Sequence, residues 1–160
     1  LLRLMAGELA ADAVRLRVNG TSLADQPQSY RSQVFWADPR SDALDALTPV
    51  AYWAAVQQRY PAFDAQLLAD LVDGLSLAQH QDKALYMLST GSKRKVWLAA
   101  AFASGAAVTL LDEPFAALDK ASINLVLELL HDASTHATRA WVVADYEAPR
   151  GVRLASTISL

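Results

Sequence analysis

The chain has 160 residues, 53% of them hydrophobic, with 14 Lys+Arg against 17 Asp+Glu for a formal net charge of -3, and no cysteine. That length and apolar fraction suit one ordinary domain with a single core and exclude intrinsic disorder. Zero Cys excludes disulfides, thiolate zinc sites and Cys nucleophiles, and the mild acidic balance argues against a purely electrostatic nucleic-acid binder. The longest uncharged stretch, residues 96–111, is shorter than the roughly 20 residues a membrane helix needs, and Gly105 interrupts it.

In chain order, Leu1, Leu4 and Met5 share one helical face and Gly7 sits where that helix would stop, with no start signal in front of it. The chain is therefore expected to begin inside a helix, as a fragment whose preceding element is not recorded. Residues 14–18 alternate Val14, Leu16 and Val18 with Arg15 and Arg17, the period of a half-buried strand ending at the turn signal Asn19-Gly20. Residues 33–36 form a second candidate strand, stopped by Asp38-Pro39. Thr48-Pro49 reads as cap and first helical residue, launching a helix that Pro61 ends. Asp64 then caps a helix carrying Leu67, Leu68, Leu71 and Val72 at helical spacing, with Gly74 expected at its close.

Beyond Ser89 the pattern changes. Residues 94–104 are Ala-rich and helical; residues 108–111 are a continuous apolar run too short for a helix, as expected of a strand buried on both faces. Residues 119–130 place Ile123, Val126, Leu127 and Leu130 on one helix face, residues 141–144 read as another buried strand, and the alternation of Val152, Leu154, Thr157, Ile158 and Leu160 suggests an edge strand or hairpin. Helices alternating with buried strands predict an α/β fold with a mainly parallel sheet and an inserted helical block over residues 41–88.

The strongest chemical signal is the apolar strand ending in Asp112-Glu113-Pro114. Strand C-termini line the ligand crevice of open α/β sheets, and adjacent acids there suit a metal ion and a general base. The competing reading is a solvated strand end with Pro114 as punctuation. Context decides between them: Leu88-Ser89-Thr90-Gly91 lies upstream, and Ala116-Ala117-Leu118-Asp119 follows directly.

This ordered set resembles the ATP-binding cassette (ABC) ATPases of transporters: a signature loop of the LSxG type, a Walker B strand and a D-loop. The resemblance extends over nearly the whole chain, and it implies a P-loop NTPase-type cassette with an inserted helical subdomain. It further implies roles. Asp112 would hold Mg²⁺ and Glu113 would be the base that orients the attacking water; Ser89, Thr90 and Gly91 would face ATP held by a second cassette, and Asp119 would lie across the dimer interface. The plain alternative for Ser89-Thr90-Gly91 is a loop and helix cap. The run Lys93-Arg94-Lys95 reads as the polar face of a helix rather than a nucleic-acid patch. His80, His131 and His136 lack metal-ligand spacing and are expected at the surface, and the four Trp are expected in packing.

The sequence departs from the family pattern at three places. The Walker A loop is absent, no Gly-Lys pair occurs anywhere, and by the resemblance that loop belongs immediately before Leu1, so the chain alone is expected to be inactive. Ala37 stands where the family has a Gln, and Asp145 where it has a switch His, which makes Asp145 a candidate catalytic position. The resemblance implies an ATP-hydrolysing subunit, peripheral on the cytoplasmic face of the membrane, pairing with a second cassette and a permease. Its alternatives are a non-catalytic partner in an asymmetric cassette pair and a soluble non-transport ABC ATPase. The run Asp112-Glu113-Pro114-Phe115 with Ala117-Leu118-Asp119-Lys120 is also similar to haem-exporter ATPases of cytochrome c maturation.

Overall fold

The computed structural model describes residues 1–9 and 14–159. A short helix α1 (Leu2–Met5) is followed by strands β1 (Arg17–Val18) and β2 (Thr21–Ser22), helix α2 (Pro27–Arg31) and strand β3 (Val34–Phe35). Next come α3 (Pro49–Arg59), α4 (Ala65–Gly74), single 3₁₀ turns at Ala78–His80 and Leu85–Met87, α5 (Thr90–Ala103), β4 (Val108–Asp112), α6 (Lys120–Ala133) and β5 (Ala140–Ala144).

The expected strand over residues 14–18 is paired only at Arg17 and Val18, against Ser22 and Thr21. Its turn is as the dipeptide predicts: Asn19 and Gly20 both take positive φ, 49° and 79°, the type I′ geometry that matches strand twist.

Strands β3, β4 and β5 form a parallel sheet in that order, with Val34 beside Val108 and Asp112 beside Ala144. Period-two alternation sorts their side chains onto two faces. Phe35, Leu111, Trp141 and Val143 join the larger apolar cluster, which includes Trp53, Leu71, Leu75, Leu85, Val96 and Val126. Val34, Leu110, Val142 and Ala144 join a smaller one with Leu2, Tyr30 and Met5. Helices α3 to α6 therefore cover one face and α1 and α2 the other, a three-layer α/β arrangement.

Local start signals behave as their chemistry requires. Thr48 accepts from Ala51 N at 3.2 Å and Asp64 from Leu67 N at 2.9 Å, capping α3 and α4. The helical block docks on α5: Trp53 Nε1 donates to Val96 O at 3.1 Å, and Tyr52 meets Trp97 edge-on at 4.7 Å between ring centroids. Tyr60, at the end of α3, donates its hydroxyl to Val34 O on β3 at 2.8 Å.

Two expectations about strands are corrected, and the helix end is as expected. Helix α4 ends at Gly74, and the chain then turns through Ser76 at φ 57°: Leu77 N bonds Val72 O at 2.8 Å and Ser76 N bonds Asp73 O at 3.0 Å, a Schellman ending. Gly74 stays helical, and its missing side chain makes room for Leu125 of α6, whose Cδ2 lies 2.9 Å from where a Cβ would stand. Strand β5 is not buried on both faces; it is half-buried to exposed, because among the described residues it is the edge of its sheet. The tail over residues 152–159 forms no strand; Leu160 lies outside the described residues.

Candidate functional site at the carboxyl end of β4

The site starts where β4 stops. Asp112 is the last strand residue, and Glu113 turns the chain with a positive φ of 45°, unusual for a residue with a Cβ. The turn is held from two sides. Glu113 N donates to Ala144 O on β5 at 2.8 Å, and Arg94 Nη1 on α5 donates to the carbonyls of Asp112 at 2.9 Å and Glu113 at 2.6 Å. Burial pushes the Arg94 guanidinium below its ordinary pKa while the charges of Glu113, Asp112 and Asp145 push it up.

The Asp112 carboxylate is paired. Its Oδ2 accepts from Arg40 Nη2 at 2.8 Å, and that hydrogen bond raises the Arg40 pKa. Arg40 lies in the segment after β3, where its own N–H donates to Asp38 Oδ1 at 2.9 Å.

The loop after Glu113 leans on the start of α5. Ala117 takes a positive φ of 60°, and its carbonyl oxygen lies 2.3 Å from where a Cβ on Gly91 would stand. Only glycine lets two backbones meet there. Ser89 caps α5, its Oγ accepting from Ser92 N at 3.1 Å and lying 3.0 Å from Ser92 Oγ; Thr90 is the first helical residue and is exposed. The plain cap reading of Ser89 is thus realised within this chain.

Asp119 caps α6 by accepting from Ser122 N at 2.9 Å and Ser122 Oγ at 3.0 Å. Lys95 Nζ donates to its other oxygen at 2.6 Å. The Lys95 bond first, and then the two from Ser122, hold the Asp119 carboxyl well below the usual carboxylate range.

The run Lys93-Arg94-Lys95 lies on α5, and each of its side chains is half-buried and paired. Lys93 pairs with Asp45 at 2.7 Å, Arg94 with the strand-end carbonyls and Lys95 with Asp119, so three consecutive residues tie α5 to three different segments. Two of the three His are exposed as expected. His80 is half-buried, with an Nδ1 that has no partner and a pKa lowered by burial.

Of the sequence candidates, Asp112 and Glu113 meet at the β4 end, and Ser89, Thr90, Gly91 and Asp119 gather around the α5 start and the turn that follows β4. Asp145 follows β5 and is exposed, its Oδ1 accepting from Tyr146 N at 2.7 Å. As donors for Mg²⁺ these residues have suitable chemistry and a small number: Asp112 offers a hard carboxylate oxygen, and no group of three metal-type ligands occurs among the described residues. That fits an ion bound through one carboxylate, with phosphate oxygens and water completing an octahedron.

Comparison with known proteins decides the family. Residues 1–116 match the family model described as ABC transporter. The chain belongs to the ABC transporter family. It is 32% identical over 123 residues to the cytochrome c biogenesis ATP-binding export protein CcmA of Pseudomonas savastanoi pv. phaseolicola, covering 77% of this chain and 58% of that protein. It is 31% identical over 163 residues to the taurine import ATP-binding protein TauB of Pseudomonas entomophila, covering 100% of this chain and 61% of that one. The chain thus spans less than two thirds of these curated relatives. Among solved structures, an ATP-binding subunit of an ABC transporter superposes with a TM-score of 0.79 at 22% identity, over 91% of this chain and 62% of that one. A dimeric ATP-binding cassette in a post-hydrolysis state with ADP and Pi superposes with a TM-score of 0.71 at 15% identity, over 91% and 68%. The fold is that of an ABC ATPase cassette. No helix of the described residues is long and apolar enough to cross a membrane.

Proposed function

We propose that this chain is the larger part of the ATP-binding subunit of an ABC transporter, hydrolysing ATP in a cassette dimer to drive a membrane permease. One observation carries the reading: two adjacent carboxylates end the central parallel strand, and the turn after them is packed backbone to backbone against the glycine of a signature-type loop. In this reading residues 41–88 are the helical subdomain.

Each residue then has one task. Glu113, aimed by its left-handed backbone and the Arg94 bonds, orients the attacking water and accepts its proton. Asp112 supplies one oxygen toward Mg²⁺. Bound with nucleotide, Mg²⁺ neutralises phosphate charge. Ser89, Thr90 and Gly91, at the N-terminus of the 14-residue α5, offer a hydroxyl and backbone N–H groups to the terminal phosphate of ATP held by a partner cassette. Asp119 fixes the turn between the two regions through Ser122 and Lys95. Work as a peripheral subunit at the cytoplasmic membrane face follows from the same reading.

The test is Glu113→Gln in the complete protein. Nucleotide binding should persist while phosphate release slows by roughly 10² to 10⁴, the range for loss of a positioned base. Unchanged turnover would remove Glu113 from the mechanism. A wild type that binds nucleotide yet releases no phosphate would favour the second reading, a non-catalytic partner in an asymmetric pair, which the Ala37 and Asp145 departures motivate.

A further inference from the structure

The carboxylate that the proposed function assigns to Mg²⁺ already holds a cation. Arg40 Nη2 sits 2.8 Å from Asp112 Oδ2. The two partners differ in freedom: the Asp112 side chain is 16% exposed and fixed at the end of a paired strand, whereas the Arg40 side chain is 79% exposed. Arg94, the other guanidinium here, bonds main-chain carbonyls and leaves the carboxylate to Arg40. The Asp38 side chain accepts the Arg40 N–H at 2.9 Å, which sets the base of the loop so that the guanidinium reaches across from the β3 side to β4. Arg40 can leave without unpacking anything, and Asp112 cannot.

We propose that Arg40 is a built-in counter-cation for Asp112, which a divalent ion displaces in order to bind. The inference rests on the reading of Asp112 as a metal-side carboxylate. A divalent ion ligated at Asp112 Oδ2 repels the guanidinium bonded to that oxygen and competes with it for the space beside the carboxylate. Because the competition is mutual, the metal lowers the hold of Asp112 on Arg40 by the factor that Arg40 lowers the hold on the metal. The competition is modest, since exposed ion pairs contribute little.

Mn²⁺ alone serves as the probe, with free Mn²⁺ counted by electron paramagnetic resonance in titrations of the full chain at low ionic strength. Asp112→Asn should weaken Mn²⁺ binding, and Arg40→Gln should tighten it roughly two- to fivefold, the span that exposed pairs allow. The gap between wild type and Arg40→Gln should shrink at about 1 M KCl, where the Debye length falls to roughly 3 Å. If Asp112→Asn weakens binding while Arg40→Gln leaves it equal or weaker, the counter-cation idea is overturned and the metal reading of Asp112 stands. If Asp112→Asn changes nothing, both fall. Arg40 is exposed enough that its replacement does not endanger folding.

Discussion

Gly91→Ala separates two opposed effects at the junction of the signature-type loop and the turn after β4. Gly91 is the second residue of α5, so alanine there gains up to about 1 kcal/mol of helix propensity. Against this, the new Cβ would stand 2.3 Å from Ala117 O. Both sides of that contact are backbone, so no side chain can rotate away, and the turn must retreat by roughly 1 Å to reach ordinary van der Waals contact. Overpacking of this kind costs about 1–3 kcal/mol, and the rigid partner places it toward the upper end. The net expectation is a loss of about 2 kcal/mol, which in urea unfolding with a slope near 2 kcal/mol/M lowers the midpoint by about 1 M. Gly20→Ala is the control: nothing lies within 4 Å of its Cβ, so only the positive φ of 79° acts, costing about 1–2 kcal/mol without touching the site. In the complete protein, Gly91→Ala should also depress phosphate release while Gly20→Ala does not. A Gly91→Ala protein as stable as wild type would refute the close approach, and with it the packing that joins loop and turn.

Two further outcomes follow from capping and charge. Thr48→Ala, which removes the acceptor for Ala51 N, should lower stability by about 1 kcal/mol in the same urea assay and leave nucleotide hydrolysis intact. Asp119, held well below its usual 3.8, contributes stability that is fully present above that value and is lost as pH falls through the depressed pKa of the folded state. Wild type should therefore lose more stability than Asp119→Asn between pH 5 and pH 2.5 in urea midpoints, by a small margin because the pair is exposed; equal losses would show that the Lys95 contact is not maintained.

Much of this fold was legible because its signals are local. Thr48, Asp64, Ser89 and Asp119 are helix caps that accept from N–H donors three residues on, and Asn19-Gly20 dictates its own turn. The strand ending in Asp112 stood out because a parallel strand covered on both sides has no polar alternation to blur it. What stayed hidden depends on distant partners. Arg40 and Asp112 are 72 positions apart, and nothing in the sequence near either marks the other. Lys93, Arg94 and Lys95 look like a solvated run because charge alone does not reveal that each finds an acceptor on another segment. Gly74 marks the end of α4 as read, but that its small size also admits Leu125 of α6 could not be seen locally. Strand β5 has the composition of a buried strand, yet its burial is decided by what lies beside it.

Asp145 carries the sharpest remaining question, because the family places a His there and the two side chains act on a phosphate in opposite ways. A His can donate a hydrogen bond to an oxygen on which negative charge develops; an ionised carboxylate only accepts and repels it. At about 4 Å and an effective dielectric near 20, two unit charges interact by roughly 4 kcal/mol, and by less where water screens them, so a carboxylate facing the phosphate is a penalty on the reaction. The arrangement around Asp145 avoids that orientation: its Oδ1 is turned back onto Tyr146 N at 2.7 Å, and the residue is exposed. In the complete protein, Asp145→Ala should then change steady-state phosphate release little, whereas Asp145→His, which supplies the missing donor, should raise it by up to the roughly 10²-fold that one added donor to developing charge provides. Circular dichroism and urea midpoints should be alike for both variants, which ties any difference in rate to the phosphate. A large loss of release in Asp145→Ala would mean that the carboxylate itself acts in the reaction, and the turned-away geometry would have to be abandoned as the working state.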